Sequence, residues 1–547
     1  MDIQIIETKV SVPTVMVDGY LLHSKYNPIR EAKQFAESMY IPHTIHVLYG
    51  NGLGYIVQAL LEQFQFDEKL IVIEPFLEVK EKLERVIYVE KNNLDNLDKA
   101  LAVFANSTQE ITFKPSLNYD KLDSNIYLGC LRTIRNRVYG NKVSINTIVK
   151  TANVWYENYI NNIKFAIEDT SVGKLFGKYD CPVVVAAGGP SLTKQLPLVK
   201  NFRNRIMLIS AGSTINSLLA EGIIPDYVVN IDGGKHNVEH YHMLSRNPKI
   251  KYIYSLNATY EIRKNTSNES YYFTTNRKVI DKSLLDLIGE IEEIDGGSSV
   301  ATFCLSLATK LTTGPIAMIG QDLAYTNNVT HAENNKGKRQ IELNKTVKIE
   351  GYYGQEVFTD ASLISMKNDF ELMIKLGLSK KHVMYNCTEG GAKINGISQL
   401  PFATFCEKHV QNQQEFIDFE NRNNEEYDYD LFQQYIQKQL VLVKQTESLI
   451  QGSLLTLKKD FHKGFFEKNT IQKLEKSEKK IKESLSMLNL TYLVDKILII
   501  INHDFPEKVK ETKAEAFTRV YNQNEFLYTE LISNLKYIKD ILTTIEI

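Results

Sequence analysis

Gly188-Gly189-Pro190-Ser191 closes the apolar run Cys181-Pro182-Val183-Val184-Val185-Ala186-Ala187 and precedes a helical pattern. Glycines can take positive φ and let a ligand approach the main chain, Pro190 fits a first helical turn, and Ser191 adds a hydroxyl and a backbone N–H. Such a turn can seat a phosphate, because the free N–H groups and positive end of a helix favour anions. An ordinary strand-to-helix turn accounts for the same four residues equally well. Asp232, Ser298, Asp322 and Glu389 follow apolar runs in the same way. In open α/β sheets ligands bind outside the carboxyl ends of the strands, so these residues along one edge predict a site. A second glycine turn, Gly50-x-Gly52-x-Gly54, follows Val47-Leu48-Tyr49, and Glu74 ends the next apolar run. That layout fits a nucleotide-binding half whose acid receives a ribose hydroxyl, and it fits a turn kept purely as scaffold. His23, in the polar loop before a helix, reads as a hydrogen-bonded loop residue.

The run 183–187 has lost the period-two alternation of a half-exposed strand and reads as a buried strand of a parallel sheet. After it come a strand at 206–209, the turn Ser210-Ala211-Gly212-Ser213, a helix to Ala220 and a strand at 227–231. KYIYSL, SYYFTT, IEEIDGGSS, PIAMIGQDLAY and HVMYNCTEGG repeat the rule, apolar runs closed by polar and glycine residues. Alternating strands and helices predict a doubly wound, mainly parallel sheet. Ile145, Ile148, Ala152 and Trp155 have helical spacing, and Arg132, Arg135 and Arg137 read as a solvated face of that helix in preference to a clamp for an anionic ligand. Beyond 400, Ile471, Leu474, Ile481, Leu485 and Leu488, then Leu527, Leu531, Leu535, Ile538 and Leu542, predict helices for partner docking, assembly or support. The expected architecture is α/β: a Rossmann-like domain at 1–125, a helical connector at 126–178, a central catalytic domain at 179–400 and a C-terminal helical domain at 401–547.

A chain of 547 residues implies three or four domains. With 64 basic and 66 acidic residues and a net charge of −2, no basic stripe for nucleic acid is expected. Cys130, Cys181, Cys304, Cys387 and Cys406 are scattered without a Cys-x-x-Cys pair, which argues against a disulfide framework or zinc site and fits a reducing cytoplasm. The first ten residues lack the pattern of a signal peptide, and no apolar run approaches the roughly 18 residues of a membrane span.

The motifs in their order resemble the motility-associated factor (Maf) family of bacterial flagellin glycosyltransferases. The resemblance rests on Gly188-Gly189-Pro190-Ser191-Leu192, Ile224-Pro225-Asp226 with Asn230-Ile231-Asp232-Gly233, Gly297-Ser298-Ser299-Val300-Ala301, Gly320-Gln321-Asp322-Leu323-Ala324-Tyr325 and Thr388-Glu389-Gly390-Gly391-Ala392. Leu22-His23-Ser24-Lys25-Tyr26 and Gly50-Asn51-Gly52-Leu53-Gly54-Tyr55 extend it into the N-terminal region. It implies transfer of a nonulosonic acid, such as pseudaminic or legionaminic acid, from its CMP-activated form to Ser or Thr hydroxyls of flagellin before export. Flagellar filament assembly and motility would depend on that transfer. CMP-nonulosonic acid is then the donor substrate, with no cofactor and no essential metal, and a homo-oligomer is left open.

The family's central domain is similar to bacterial sialyltransferases that share the Gly-Pro-Ser-Leu turn. By that comparison Gly188, Gly189, Pro190, Ser191, Leu192, Ser210 and Gly212 would hold the phosphate and ribose, and Asp232 would touch the cytidine part. Gly297, Ser298 and Ser299 would line the sugar, with Gln321 and Glu389 beside the donor. Tyr325 and His331 fall near two tyrosines that help CMP depart. The histidine base of those enzymes has no counterpart in Glu356-Val357-Phe358-Thr359-Asp360, which leaves as alternatives a base among Asp322, His331 and Asp360 and a reaction that relies on departure of the leaving group with little base help. His331 suits the role because neutral imidazole titrates near working pH. Two other readings share these features: an archaeal pterin diphosphokinase-like transfer of diphosphate from ATP, with strand-end acids on Mg²⁺, and a flagellin-binding chaperone without catalysis.

Overall fold

The computed structural model describes residues 1–545 except 43, 65–67, 80–81, 91–92, 105–109, 277–279, 281, 379–381, 419–428 and 509–510. The chain divides into two compact units, one formed by residues 1–150, 452–475 and 495–530, the other by 151–451, 476–494 and 531–547.

In the first unit, β1 (Ile3–Glu7), β2 (Pro13–Val17) and β3 (Tyr20–Leu21) form an antiparallel sheet. Asn27 caps α1 (Pro28–Met39), its side chain accepting from the Arg30 N–H, as Asn commonly does before a Pro-initiated helix. A parallel sheet follows, β4 (Ile45–Tyr49), α2 (Tyr55–Leu61), β5 (Leu70–Glu74), β6 (Val86–Glu90) and β7 (Ile111–Pro115), with strand order β6-β5-β4-β7. Every residue of β4 and β5 is buried. Val47, Tyr49, Ile71 and Ile73 face one core, while Leu48, Leu70 and Val72 face another, so unbroken apolar runs are what this double burial selects.

The expected connector is one helix, α3 (Ser124–Glu168). The second unit then holds a nine-stranded, wholly parallel sheet. Its elements are β8 (Thr170–Ser171), β9 (Val183–Ala186), α4 (Leu192–Asn201), β10 (Met207–Ala211), α5 (Thr214–Ala220), β11 (Tyr227–Asn230), β12 (Lys251–Ser255) and β13 (Ser270–Phe273). After α6 (Val300–Leu311) come β14 (Ile316–Ile319), the hairpin β15 (Val347–Glu350) and β16 (Glu356–Thr359), α7 (Ala361–Met373), β17 (Met384–Asn386), β18 (Ser398–Gln399) and α8 (Phe402–His409).

The strand order is β18-β17-β14-β9-β10-β11-β12-β13-β8. The chain therefore runs outward from β9 in one direction and returns to start again at β14 on the other side, which puts the topological switch, where such sheets bind ligands, between β9 and β14. Val183, Val185, Met207, Ile209 and Met318 face α6, and Val184, Ala186, Leu208 and Ile319 face the core that includes Leu192, Leu196, Phe402 and Phe405.

Two expectations change. IEEIDGGSS is not a strand: Glu293 makes one isolated bridge to Thr274, because Glu292 and Glu293 interrupt an apolar run that offers only Ile291 and Ile294 to the interior. The C-terminal helices are not a unit of their own. α9 (Tyr429–Lys458), α10 (Lys468–Met487), α11 (Thr491–Asp504) and α12 (Lys513–Thr544) each give residues to both units. At about 1.5 Å per residue, helices of 30 and 32 residues outrun one small core. Ile481, Leu485, Leu488, Leu531, Leu535, Ile538 and Leu542 are buried as their spacing requires, whereas Ile471 is 43% exposed. Among the described residues no helix is long and apolar enough to cross a membrane.

Candidate functional site

At the switch point the anion that meets the start of α4 is the protein's own. Asp322, after β14, accepts from Ser191 Oγ at 2.6 Å and Ser191 N at 3.1 Å through Oδ1, and from Thr326 Oγ1 at 2.6 Å through Oδ2. A Cβ on Gly189 would stand 2.2 Å from Asp322 Oδ1, and one on Gly391, at φ +65°, would stand 2.0 Å from Asp322 O. Burial pushes the Asp322 carboxyl above the usual range, while the Ser191 and Thr326 hydrogen bonds and the Lys194 ammonium pull it back. The seat expected to receive a phosphate at Ser191 is thus filled by Asp322, and Asp322 is enclosed where no acceptor could reach it.

The same weld continues sideways. Gln195 Oε1 accepts from Gly320 N at 3.1 Å and its Nε2 donates to Thr388 O at 3.1 Å, while Gln321 N donates to Thr388 Oγ1 at 3.1 Å. Glu389 Oε2 accepts from Phe402 N at 3.0 Å, and its carbonyl receives the Lys194 ammonium. Leu192 is fully buried, and Pro190 lies one residue ahead of the Ser191 cap. These residues join the ends of β9, β14 and β17.

Gly188 faces the other way, towards β10. A Cβ on it would stand 3.0 Å from Asn335 Nδ2, 3.2 Å from Thr214 Oγ1 and 3.4 Å from His331 Cδ2. Ala332 N donates to Gly188 O at 2.9 Å, and Asn335 Nδ2 donates to Ser213 Oγ at 3.3 Å. His331 Nδ1 lies 3.1 Å from Gly337 O. A carbonyl can only accept, so the proton sits on Nδ1 and Nε2 carries a bare lone pair. Nε2 has no hydrogen-bond partner among the described residues. Burial holds the imidazole below its ordinary pKa of 6.5; the Gly337 contact opposes this, and the Arg339 and His240 charges add to it.

Along β10 to β12 the strand ends carry unmet polar atoms: Ser210 Oγ, His240 Nδ1, Asn257 Oδ1 and Thr259 Oγ1 are buried without a partner among the described residues. Each such atom costs about 1–3 kcal/mol while it stays unpaired, and this group, on β10 and on the segments after β11 and β12, can be completed by a ligand or by ordered water. Asp232 is an exposed residue, yet the protein packed around its carboxyl still pushes its pKa up, and His236 and His240 draw it back. Gly212, at φ +51°, keeps the β10 turn open beneath the Tyr241 hydroxyl, 3.4 Å from where its Cβ would stand.

The remaining expected residues are engaged elsewhere. Tyr325 donates to Asp360 Oδ2, and Asp360 Oδ1 caps α7 through Leu363 N at 2.9 Å. Burial, then Asp360, pushes the Tyr325 hydroxyl up to about 12. Ser298 N and Oγ donate to Asp369 Oδ2 at 2.7 and 2.6 Å, Gly297 N donates to Thr302 Oγ1 at 2.8 Å, and Ser299 caps α6. The structure therefore brings Gly188, His331, Ser213, Thr214 and Asn335 together and keeps Ser298, Ser299 and Glu389 in internal contacts. Sequence reading missed Thr214, His240, Asn257, Thr259 and Asn335. Asn257 and Thr259 had a usable signal, since Leu256-Asn257-Ala258-Thr259 closes KYIYSL as other polar turns close their strands.

In the first unit the glycine turn is occupied by its own neighbours. Glu74 Oε2 accepts from Asn51 N at 2.8 Å, Gly52 N at 3.2 Å and Tyr119 OH at 2.6 Å, and its Oε1 accepts from Phe76 and Leu77 N at 2.9 Å each. A Cβ on Gly50 would strike the Tyr119 ring, and one on Gly52 would stand 2.2 Å from His23 Nε2, which accepts from Leu53 N at 2.8 Å. The acid expected to receive a ribose hydroxyl holds the turn instead, and the scaffold reading stands. Among the described residues no group of three or more His, Cys, Asp or Glu is placed to hold a metal ion.

A family described as 6-hydroxymethylpterin diphosphokinase MptE-like matches residues 157–328. No curated protein matches the chain. The solved structure of a Maf glycosyltransferase from Magnetospirillum magneticum AMB-1 superposes with a TM-score of 0.57 at 14% identity, covering 98% of this chain and 93% of that one. Along almost its whole length, the chain has the fold of a Maf glycosyltransferase.

Proposed function

We propose that the protein is a cytoplasmic glycosyltransferase that moves a nonulosonic acid of the pseudaminic or legionaminic type from its CMP-activated form to Ser or Thr hydroxyls of flagellin. The observation that carries this reading is His331, a neutral imidazole with its proton fixed on Nδ1 by Gly337 O and its other nitrogen free, set beside Gly188 near the switch point. The fold likeness to a Maf glycosyltransferase supports it, as do the unmet atoms of Ser210, His240, Asn257 and Thr259, which suit a nucleoside.

In this reading the acceptor hydroxyl gives its proton to His331 Nε2 as its oxygen bonds to the anomeric carbon. The bond from that carbon to the phosphate oxygen breaks, and its electron pair leaves with CMP. The Gly337 carbonyl stabilises the imidazolium that forms, and a base so placed contributes roughly 10²–10⁴-fold. Ser213 and Thr214 present hydroxyl donors to the charge that develops on the departing phosphate, with Asn335 Nδ2 donating to Ser213 Oγ and so fixing that hydroxyl.

The family match over residues 157–328 favours a second reading, diphosphate transfer from ATP. Its Mg²⁺ would need the strand-end acids, and of the three Asp322 and Glu389 are already hydrogen-bonded inside the protein, which leaves Asp232. Calorimetric titration separates the two. CMP binding without metal supports the glycosyltransferase, ATP binding only with Mg²⁺ overturns it, and no nucleotide binding favours a flagellin chaperone. Intact-mass analysis of flagellin co-expressed with the protein and a CMP-nonulosonate supply then tests the transfer, and no added mass with both substrates present refutes it.

A further inference from the structure

Helix α3 carries two buried asparagines one turn apart, Asn158 and Asn162, 2% and 0% exposed. Residues four apart share a helix face, and both side chains turn to the strand ends. Asn158 Nδ2 donates to Gly233 O at 2.9 Å and Asn257 O at 3.2 Å. Asn162 Nδ2 donates to Leu256 O at 2.9 Å and Ala258 O at 2.7 Å. Each amide thus spends both its donors on backbone carbonyls. Those four carbonyls belong to the turns after β11 and β12, the turns that carry Asp232, Asn257 and Thr259. Asn162 Oδ1 has no partner, so the residue is held there by its donors.

The turns lie flush on the helix. A Cβ on Gly233 would stand 2.8 Å from Trp155 Cδ1 and 2.9 Å from Asn158 Nδ2, and Thr259 N donates to Asp232 O at 2.9 Å, tying one turn to the other. Asn and Thr side chains readily fold back onto their own backbone in loose turns. Fixing the carbonyls of 256–258 from outside keeps Asn257 Oδ1 and Thr259 Oγ1 from finding such partners, which is the state in which they occur here.

We propose that Asn158 and Asn162 are positioning residues that fix the turns carrying Asp232, Asn257 and Thr259 and keep the Asn257 and Thr259 oxygens unpaired for the nucleoside part of the donor. This deepens the nucleotide reading of the strand ends and rests on it. The effect runs through the two turns, since neither asparagine needs to touch the ligand.

The chain has one tryptophan, and Trp155 borders Gly233, so its fluorescence reports on the turn in the full-length protein. CMP is titrated against wild type, Asn158→Ala, Asn158→Asp and Asn162→Ala, with calorimetry for the dissociation constant and thermal melting to show that each variant is folded at the titration temperature. Loss of the amide donors weakens CMP binding by roughly ten-fold, the worth of one net hydrogen bond. Asn158→Asp keeps the shape and removes the donors, so it weakens binding at least as much as the alanine variant, whereas a packing role alone would make it the milder change. Folded variants that bind CMP as wild type does overturn the proposal. Wild-type protein that binds no nucleotide removes the site itself, a different failure that takes this inference with it. If the alanine variants do not fold, Asn162→Ser, whose shorter side chain with a single donor cannot bridge the Leu256 and Ala258 carbonyls, replaces them, and wild-type affinity in that variant is equally fatal.

Discussion

Gly189 lies directly against Asp322: a Cβ on the glycine would stand 2.2 Å from the carboxylate Oδ1, the same oxygen that receives Ser191 Oγ at 2.6 Å. Asp322 is 2% exposed and also holds Thr326. Its role is therefore to close the switch point. Asp322→Ala leaves three buried donors unpaired at about 1–3 kcal/mol each, and a loss of roughly 3–5 kcal/mol is expected on the scale of a broken buried charge network. Asp322→Asn keeps one acceptor oxygen and should fold with smaller loss and near-normal CMP affinity. An alanine variant with unchanged melting and abolished turnover would instead make Asp322 part of the chemistry.

In the proposed reaction His331 sets the pH response. Its pKa lies below 6.5 because burial disfavours the imidazolium. The base works when neutral, so transferase rate should be flat above that value and fall as pH drops through the lowered pKa. Replacing His331 by Ala should reduce kcat by roughly 10²–10⁴-fold and remove this acid limb, while CMP affinity changes little. A variant that keeps the limb assigns it to another group.

How much of this was legible in the sequence depends on what each residue contacts. Val183-Val184-Val185 announced a buried parallel strand because both its faces are covered, and continuous β-branched runs have few other uses. The strand-end rule selected Asp232, and the family resemblance selected Ser210. The rule also selected Ser191, Asp322, Ser298 and Glu389, whose polar atoms are taken by partners 131, 71 or 13 residues away. A strand end shows where a polar residue sits and says nothing of whether its partner is a ligand or a distant part of the chain. Asn158 and Asn162 were hidden for the opposite reason: an asparagine on a helix face looks solvated until the turns it holds, 75 and 94 residues on, are placed against it. The C-terminal helices showed their apolar spacing clearly, but spacing does not say which core receives each turn.

His23 predicts a second pH dependence, of stability this time. It is fully buried, its Nε2 accepts from Leu53 N, and burial lowers its pKa to about 4. Above pH 6.5 both folded and unfolded states hold it neutral and it contributes nothing to the pH slope. Between 6.5 and about 4 only the unfolded state takes up the proton, so stability falls with pH across that window, by about 3 kcal/mol in all at 1.36 kcal/mol per pH unit. Urea unfolding of wild type and His23→Asn at pH 7 and pH 4.5 isolates the term. Equal losses in the two proteins would assign the slope to other groups.

The two neighbouring glycines should separate structure from binding. Gly188→Ala places its Cβ 3.0–3.4 Å from the side chains of Asn335, Thr214 and His331, a crowding that small shifts of side-chain ends can relieve. Gly189→Ala meets Asp322 Oδ1 at 2.2 Å and the Gly320 carbonyl at 2.5 Å, where the backbone itself must move. The first variant should fold with a loss of roughly 1 kcal/mol, within the ordinary range for overpacking, and bind CMP several-fold more weakly because the methyl enters the space shared by Gly188 and His331. The second should melt far lower or fail to accumulate folded. Melting temperature and CMP titration on both variants check this. If Gly188→Ala binds CMP as tightly as wild type, the donor does not approach the main chain at Gly188, and the cleft must be sought along Asp232 and Asn257 alone.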